Sequence, residues 1–246
     1  MNMEFDPRDQ ELQKQWQKIA TDVVAPVAAT IDATGEIPES LLRHLDELKL
    51  LTPFLPTELG GEDRGLQSLS ILLEEIARHS PVTALLCAQQ VVVGIRANLR
   101  CFNLGDRSEW GKKASQFKAI FTLAASENEA GSDLTSIQTT CRRTADGEFV
   151  LNGEKAYVNW AARAAWIIAL ARTQEQEGRG FSLFAVPGSA VGLEFDASHP
   201  TMGLQGIAAA PIRFRDVKLT AERVAGVYGF GFDPYDQMLN EMRICV

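Results

Sequence analysis

Apolar residues recur with a helical period over the first 112 or so positions and with a period of two from near Phe117. From Leu12 onward, Trp16, Ile19, Ala20, Val23, Val24 and Val27 fall at the i, i+4, i+7, i+8 spacing that lines one helix face. Leu41, Leu42, Leu45 and Leu48 repeat the pattern behind Pro38, whose fixed φ suits a first helical turn. Residues 52–65 carry two prolines and three glycines and are expected to form a loop. A third helix is predicted over 66–79 and a fourth over 83–102, with Ser80-Pro81 as the break.

Near Phe117 the period shortens. Ile137, Thr139 and Cys141 alternate with Gln138, Thr140 and Arg142, as in a half-buried strand. Asp146-Gly147 and Asn152-Gly153 read as turn signals on either side of Phe149, Val150 and Leu151. Further strands are expected over 166–172, 181–186 and 212–217. Short strands between turns fit a β-barrel or sandwich better than a parallel α/β sheet. A last helix is predicted from Asp233 as N-cap with Pro234 behind it, and Tyr235, Met238, Leu239, Met242 and Val246 keep helical spacing to the final residue. No capping or stop signal follows, so this element reads as truncated. The fold class expected is α+β and multidomain: an α-helical N-terminal domain over 1–116, a β middle domain over 117–231, and the start of a further helical domain over 232–246.

Composition is that of a globular chain: 246 residues, 46% hydrophobic and 23% charged. The net charge of -8 argues against a nucleic-acid partner, which wants a basic stripe. The longest apolar runs fall far below the roughly 18–20 residues of a membrane span, and the acidic start MNMEFDPRDQ lacks a signal-like apolar core. Cys87, Cys101, Cys141 and Cys245 are irregularly spaced, which fits reduced thiols and a cytoplasmic location. His44, His79 and His199 are too scattered to suggest a metal site. Pattern alone gives no catalytic constellation: there is no GxSxG, HExxH, Walker A or strand-linked GxGxxG. The segment from Glu127 to Asp133 does offer Gly131-Ser132, a pliant backbone beside a hydroxyl, which is the material of an anion-binding nest or of a simple turn.

Five linked segments carry a more specific signal: LLTPFLPTELGG (50–61), AASENEAGSD (124–133), FVLNGEKAYVNW (149–160), MGLQG (202–206) and FRDVKLT (214–220), with the helix-like LLEEIAR (72–78) after the first. In order and spacing the chain resembles the N-terminal and middle domains of the acyl-CoA dehydrogenase family of flavoproteins. The resemblance implies FAD as cofactor. Leu123, Ala125 and Ser126 would run along its isoalloxazine ring, and Ser126 would stand where the family has Thr beside the N5/O4 edge. Gly131 and Ser132 would meet the pyrophosphate, Ser132 also the substrate arm. Tyr157 would replace a Trp as an aromatic wall, followed by Val158 and Asn159 in place of Ile and a hydroxyl residue. Asn128 replaces the family's loop proline and Trp160 its Asn, while packing as ordinary β-domain aromatics stays open for Tyr157 and Trp160.

On the last helix, the resemblance places Asn240 and Arg243 at the CoA arm. Some members carry the catalytic Glu just before that Arg; here Met242 stands there, and Glu241 lies about 100° away around the helix. No catalytic residue is therefore assigned. The expected activity is FAD-dependent α,β-dehydrogenation of an acyl-CoA or acyl-carrier thioester, as a fragment or subunit lacking its base and inactive alone. Expected partners are an electron-transfer protein and a homo- or hetero-oligomeric companion, one option being a separate chain that supplies the missing helices. A non-catalytic partner subunit and a flavin monooxygenase or oxidase on the same scaffold are the alternatives.

Overall fold

The computed structural model describes residues 6–102, 105–173 and 180–245. Val246 and the first five residues, both used in the sequence expectations, lie outside them. The helical part opens at Asp6, whose carboxylate accepts the Asp9 amide (2.8 Å) and caps α1 (Pro7–Ile19). A π-helical turn (Ala20–Val24) joins α1 to α2 (Ala25–Thr34), which ends at left-handed Gly35. The helix α3 (Glu39–Glu47) starts one residue later than expected: Pro38, in extended conformation, is its cap rather than its first turn.

The helix α4 (Leu66–Ala77) is followed by Ser80, whose hydroxyl caps α5 (Pro81–Gln89). A π-helical segment (Gln90–Ala97) and α6 (Asn98–Cys101) continue α5, and α7 (Arg107–Ser115) closes the helical part. The combined helix Pro81–Cys101 is long and apolar enough to cross a membrane, yet 83% of its apolar window is buried inside the fold. It is a core helix.

Among the described residues seven strands follow: β1 (Ile120–Ala124), β2 (Thr140–Arg143), β3 (Phe149–Val158), β4 (Ala164–Thr173), β5 (Phe181–Pro187), β6 (Leu193–Phe195) and β7 (Ala210–Leu219). They form one mixed sheet. β1 and β2 both run parallel to β4, β5 pairs with β4 antiparallel, and the antiparallel series β2-β3-β7-β6 completes it. The strand pattern gave no sign of the two parallel pairings, since both depend on partners far apart in sequence.

β4 is buried on both faces. Trp166, Ile168 and Leu170 belong to the core shared with the helices; Ile167, Ala169 and Ala171 belong to a second core with Phe149, Leu151, Phe184, Ile212 and Phe214. The helical and β parts are thus welded by a common apolar interior, the main favourable term in their association.

Three local expectations change. The strand expected from Ile137 begins only at Thr140, because the amides of Gln138 and Thr139 donate to the Glu127 carboxylate instead of a strand ladder. Asp146-Gly147 does close the β2–β3 hairpin, but Asn152-Gly153 is no turn; β3 runs through it with a register shift. Gly153 has φ +140°, and a Cβ there would lie 2.5 Å from the Thr139 Cα, so glycine serves a bulge that packs backbone on backbone. Finally, α8 (Phe232–Cys245) begins before Asp233, with the Tyr235 amide bonded to the Gly231 carbonyl. Its apolar residues Tyr235 and Met238 are buried, where the helix packs on α4, α5, the π-helical segment and β5.

Candidate functional site

The ends of β1 and β3 meet. The Ala156 amide donates to the Ser126 carbonyl (2.9 Å), and the Thr122 hydroxyl donates to the Asn159 carbonyl (2.7 Å). These two bonds bring Leu123, Ala125 and Ser126 alongside Tyr157, Val158 and Asn159.

Their side chains divide into two groups. Val158 and Ala125 are buried. Tyr157 is 59% exposed, unusual for so large a ring on a core strand. Its ring lies 4.8 Å from that of His199, whose Nε2 donates to the Ala156 carbonyl (2.9 Å). Among the described residues, neither the Ser126 hydroxyl nor the Asn159 amide is engaged in a side-chain hydrogen bond.

Trp160 behaves differently from Tyr157. It is 2% exposed, and its indole N–H donates to the Gly206 carbonyl (2.8 Å). It also holds a left-handed backbone (φ 49°, ψ 30°), a conformation that favours Asn over a bulky residue. Core packing is therefore the role of Trp160 and not of Tyr157.

Beneath the loop lies a pair that pattern reading missed. Lys155 is fully buried, and its Nζ donates to the Ala125 carbonyl (2.9 Å) and to Glu127 Oε1 (2.8 Å). The Glu127 carboxylate also accepts the amides of Gln138 (2.7 Å) and Thr139 (3.0 Å). Burial pulls the Lys155 ammonium down to about 8, against the pull of Glu127. Burial pushes Glu127 up, but Lys155 and the donors from Thr139 and Gln138 outweigh it and hold the carboxyl below its ordinary value. The available signal was a charged residue inside an otherwise half-apolar strand.

The rest of the loop is open. Glu127 and Ala130 exchange backbone hydrogen bonds (2.9 and 3.2 Å), making a tight turn that presents Gly131 and Ser132 to solvent. Gly131 does not adopt a left-handed φ, and a Cβ there would meet nothing within 4 Å.

On α8, Asn240 and Arg243 are exposed, and Asn240 donates to Asp236 (3.0 Å). Among the described residues no hydrogen bond or ion pair ties either to the β1–β3 face. Glu241 points the other way: it is buried and paired with Arg96 (2.9 Å) and Arg100 (2.8 Å).

A concavity of about 670 Å³ beside Pro187, Val191, Lys218 and Arg223 shares no residue with the β1–β3 face. Unengaged polar groups, rather than cavity size, mark the candidate site. Among the described residues, no three His, Cys, Asp or Glu side chains converge as for a metal.

The family described as acyl-CoA dehydrogenase, N-terminal domain, matches residues 6–100, and that described as acyl-CoA dehydrogenase, middle domain, matches residues 122–217. Cyclohex-1-ene-1-carbonyl-CoA dehydrogenase of Geobacter metallireducens is 30% identical over 233 residues, which is 92% of this chain and 60% of that protein. Butyryl-CoA dehydrogenase from Megasphaera elsdenii superposes with a TM-score of 0.90 at 22% identity, over 99% of this chain and 64% of its own. A structure of PigA with FAD and proline also gives 0.90, at 20% identity, over 100% of this chain and 64% of its own. The two structures share the fold. The chain spans about 60% of the length of the curated relatives it matches.

Proposed function

Since this chain belongs to the acyl-CoA dehydrogenase family, we propose that it forms the FAD-holding part of an enzyme that introduces a double bond between the α and β carbons of an acyl thioester. The observation that carries this reading is the exposed Tyr157 ring beside two unengaged polar groups, the Ser126 hydroxyl and the Asn159 amide, at the joined ends of β1 and β3. A flat aromatic surface flanked by free donors and acceptors suits a planar heterocycle with polar edges.

FAD supplies a two-electron acceptor for the hydride that leaves the β-carbon. The chain's own residues then have distinct tasks. Ser126 and Asn159 hydrogen-bond the polar edge of the ring and fix its position. Tyr157 shields one side of the ring, while the backbones at Leu123, Ala125 and Val158 line its approach. Gly131 and Ser132, exposed at the loop tip, receive the pyrophosphate and the thioester arm. Arg243 and Asn240 hold the CoA or carrier arm by charge and hydrogen bonding.

Removal of the α-proton needs a carboxylate placed over that carbon. Glu241 is committed to Arg96 and Arg100, so in our reading these residues provide no proton-abstracting group. That base comes from residues beyond these 246 or from another polypeptide. The division of labour follows the proposed domains: helices over 1–116, the flavin-facing sheet over 117–231, and the start of a further helical unit over 232–246. Turnover also requires an electron-accepting partner, and the irregular spacing of the cysteines suits a reducing compartment such as the cytoplasm.

Titration of the chain with FAD, followed by flavin fluorescence and visible absorbance, tests the reading. Saturable binding with a resolved flavin band that Ser126→Ala and Asn159→Ala both shift is the expected result. Absence of saturable binding at tens of micromolar, roughly the range of weak cofactor sites, would overturn it.

A further inference from the structure

We propose that Lys155 is the positioning residue for Ser126, clamping the backbone on both sides of that hydroxyl so that it stays aimed at the polar edge of the ring. The inference rests on the reading above, in which Ser126 faces the flavin. Lys155 has no exposed surface, and its two bonds go to the Ala125 carbonyl and the Glu127 carboxylate, the residues immediately before and after Ser126. The next residue along β3, Ala156, donates its amide to the Ser126 carbonyl. Three consecutive loop residues are therefore tied to two consecutive strand residues.

The clamp has a second layer. Glu127 is held by the Gln138 and Thr139 amides as well as by Lys155, which fixes it on the strand side opposite the exposed loop tip. β1 ends at Ala124, so residues 125–127 lie beyond its ladder with β4. Without Lys155, Ala125 would lose its side-chain donor and Glu127 its counter-charge. A fully buried ammonium is costly to retain for stability alone, because burial disfavours the charged form. Its depressed titration toward about 8 reflects that cost. A tether that orders the one segment carrying Ser126 accounts for its place here better than packing does, since an apolar side chain of equal length would fill the same space.

The test uses the full chain as Lys155→Met, Ser126→Ala and the double variant, with two readouts. Amide hydrogen exchange reports order in residues 125–130 relative to β4 and β5. FAD titration with the visible flavin spectrum reports the aim of the hydroxyl. In Lys155→Met, exchange over 125–130 should accelerate about tenfold or more while β4 and β5 stay protected.

Ser126→Ala should weaken FAD binding by about three- to tenfold in the natural background, the worth of one hydrogen bond, and should have no further effect on Lys155→Met. A purely structural lysine would leave the two substitutions additive. Unchanged exchange over 125–130, or an undiminished Ser126→Ala effect in the Lys155→Met background, would overturn the proposal. If the natural chain takes up no FAD, the flavin reading falls, and the exchange data still decide whether Lys155 orders the segment. Should Lys155→Met fail to fold, Glu127→Gln, which keeps an acceptor but removes the counter-charge, carries the same two readouts.

Discussion

Glu241 and Arg96 meet at 2.9 Å, carboxylate to Nε, where α8 crosses the π-helical segment, and Arg100 reaches the same carboxylate at 2.8 Å. The pair buries the one acidic side chain that lies nearest the Arg243 position in sequence, and turns it from the exposed face of α8. Glu241 is therefore an anchor for the helix. Its two arginines are partly exposed, which moderates the strength of the pairing.

Glu241→Gln should lower stability by about 1–3 kcal/mol, because it leaves two arginines without their carboxylate in a half-buried setting. Urea denaturation of the variant against the natural chain measures this. A change within about 0.3 kcal/mol would show the contact to be ornamental.

With FAD supplied, the isolated chain is expected to show no anaerobic bleaching of flavin by an acyl-CoA. Loss of a general base alone typically removes about 10² to 10⁴ in rate. Bleaching by the natural chain that vanishes in Glu241→Gln would make Glu241 the base and reverse its assignment as an anchor.

Tyr157→Ala should barely alter folding, within about 0.5 kcal/mol, since the ring is largely solvent-exposed. FAD affinity should fall about tenfold, the worth of one aromatic stacking contact. Thermal melts and flavin titrations of the same preparation separate the two effects; equal losses in both would mark Tyr157 as a packing residue.

Lys155 gives a pH signature of known sign. Its folded value is about 8, below the ordinary lysine value of 10.5. Between those values the unfolded chain binds the proton and the folded chain does not, so stability from this group rises with pH. The cost of the buried ammonium is present in full below about pH 8 and disappears as pH approaches 10.5. The stability of the natural chain relative to Lys155→Met should therefore increase between pH 8 and 10, by an amount on the order of a few kcal/mol. Denaturation curves across that interval check it, and a difference that stays flat or shrinks contradicts the burial account.

Trp160→Phe keeps an aromatic body in the same place but leaves the Gly206 carbonyl without its indole donor. A loss of about 1–3 kcal/mol is expected, as for any buried acceptor stripped of its partner. Equilibrium unfolding at neutral pH measures it; no loss would mean that water replaces the indole.

The helical half was legible because its signals are local. Ser80-Pro81 caps a helix by its own chemistry, and Leu41, Leu42 and Leu45 point inward by period alone. The hairpin at Asp146-Gly147 was equally readable. Asn152-Gly153 looked the same in sequence and became a bulge, because its backbone conformation answers to Thr139 across the sheet rather than to its neighbours in the chain.

The candidate site shows the same division. The order of segments around Ser126 and Tyr157 identified the family without coordinates, and periodicity and turn signals gave most of the helices and strands around them. Three things waited on the tertiary structure: that Trp160 is core while Tyr157 is exposed, that Lys155 and Glu127 lie beneath Ser126, and that Glu241 is spent on Arg96 and Arg100. Each depends on partners from 28 to 145 residues apart, brought together by one shared apolar interior. Sequence period reports which face of an element turns inward; only packing decides what that face meets, because burial and charge pairing depend on surroundings that no local pattern contains.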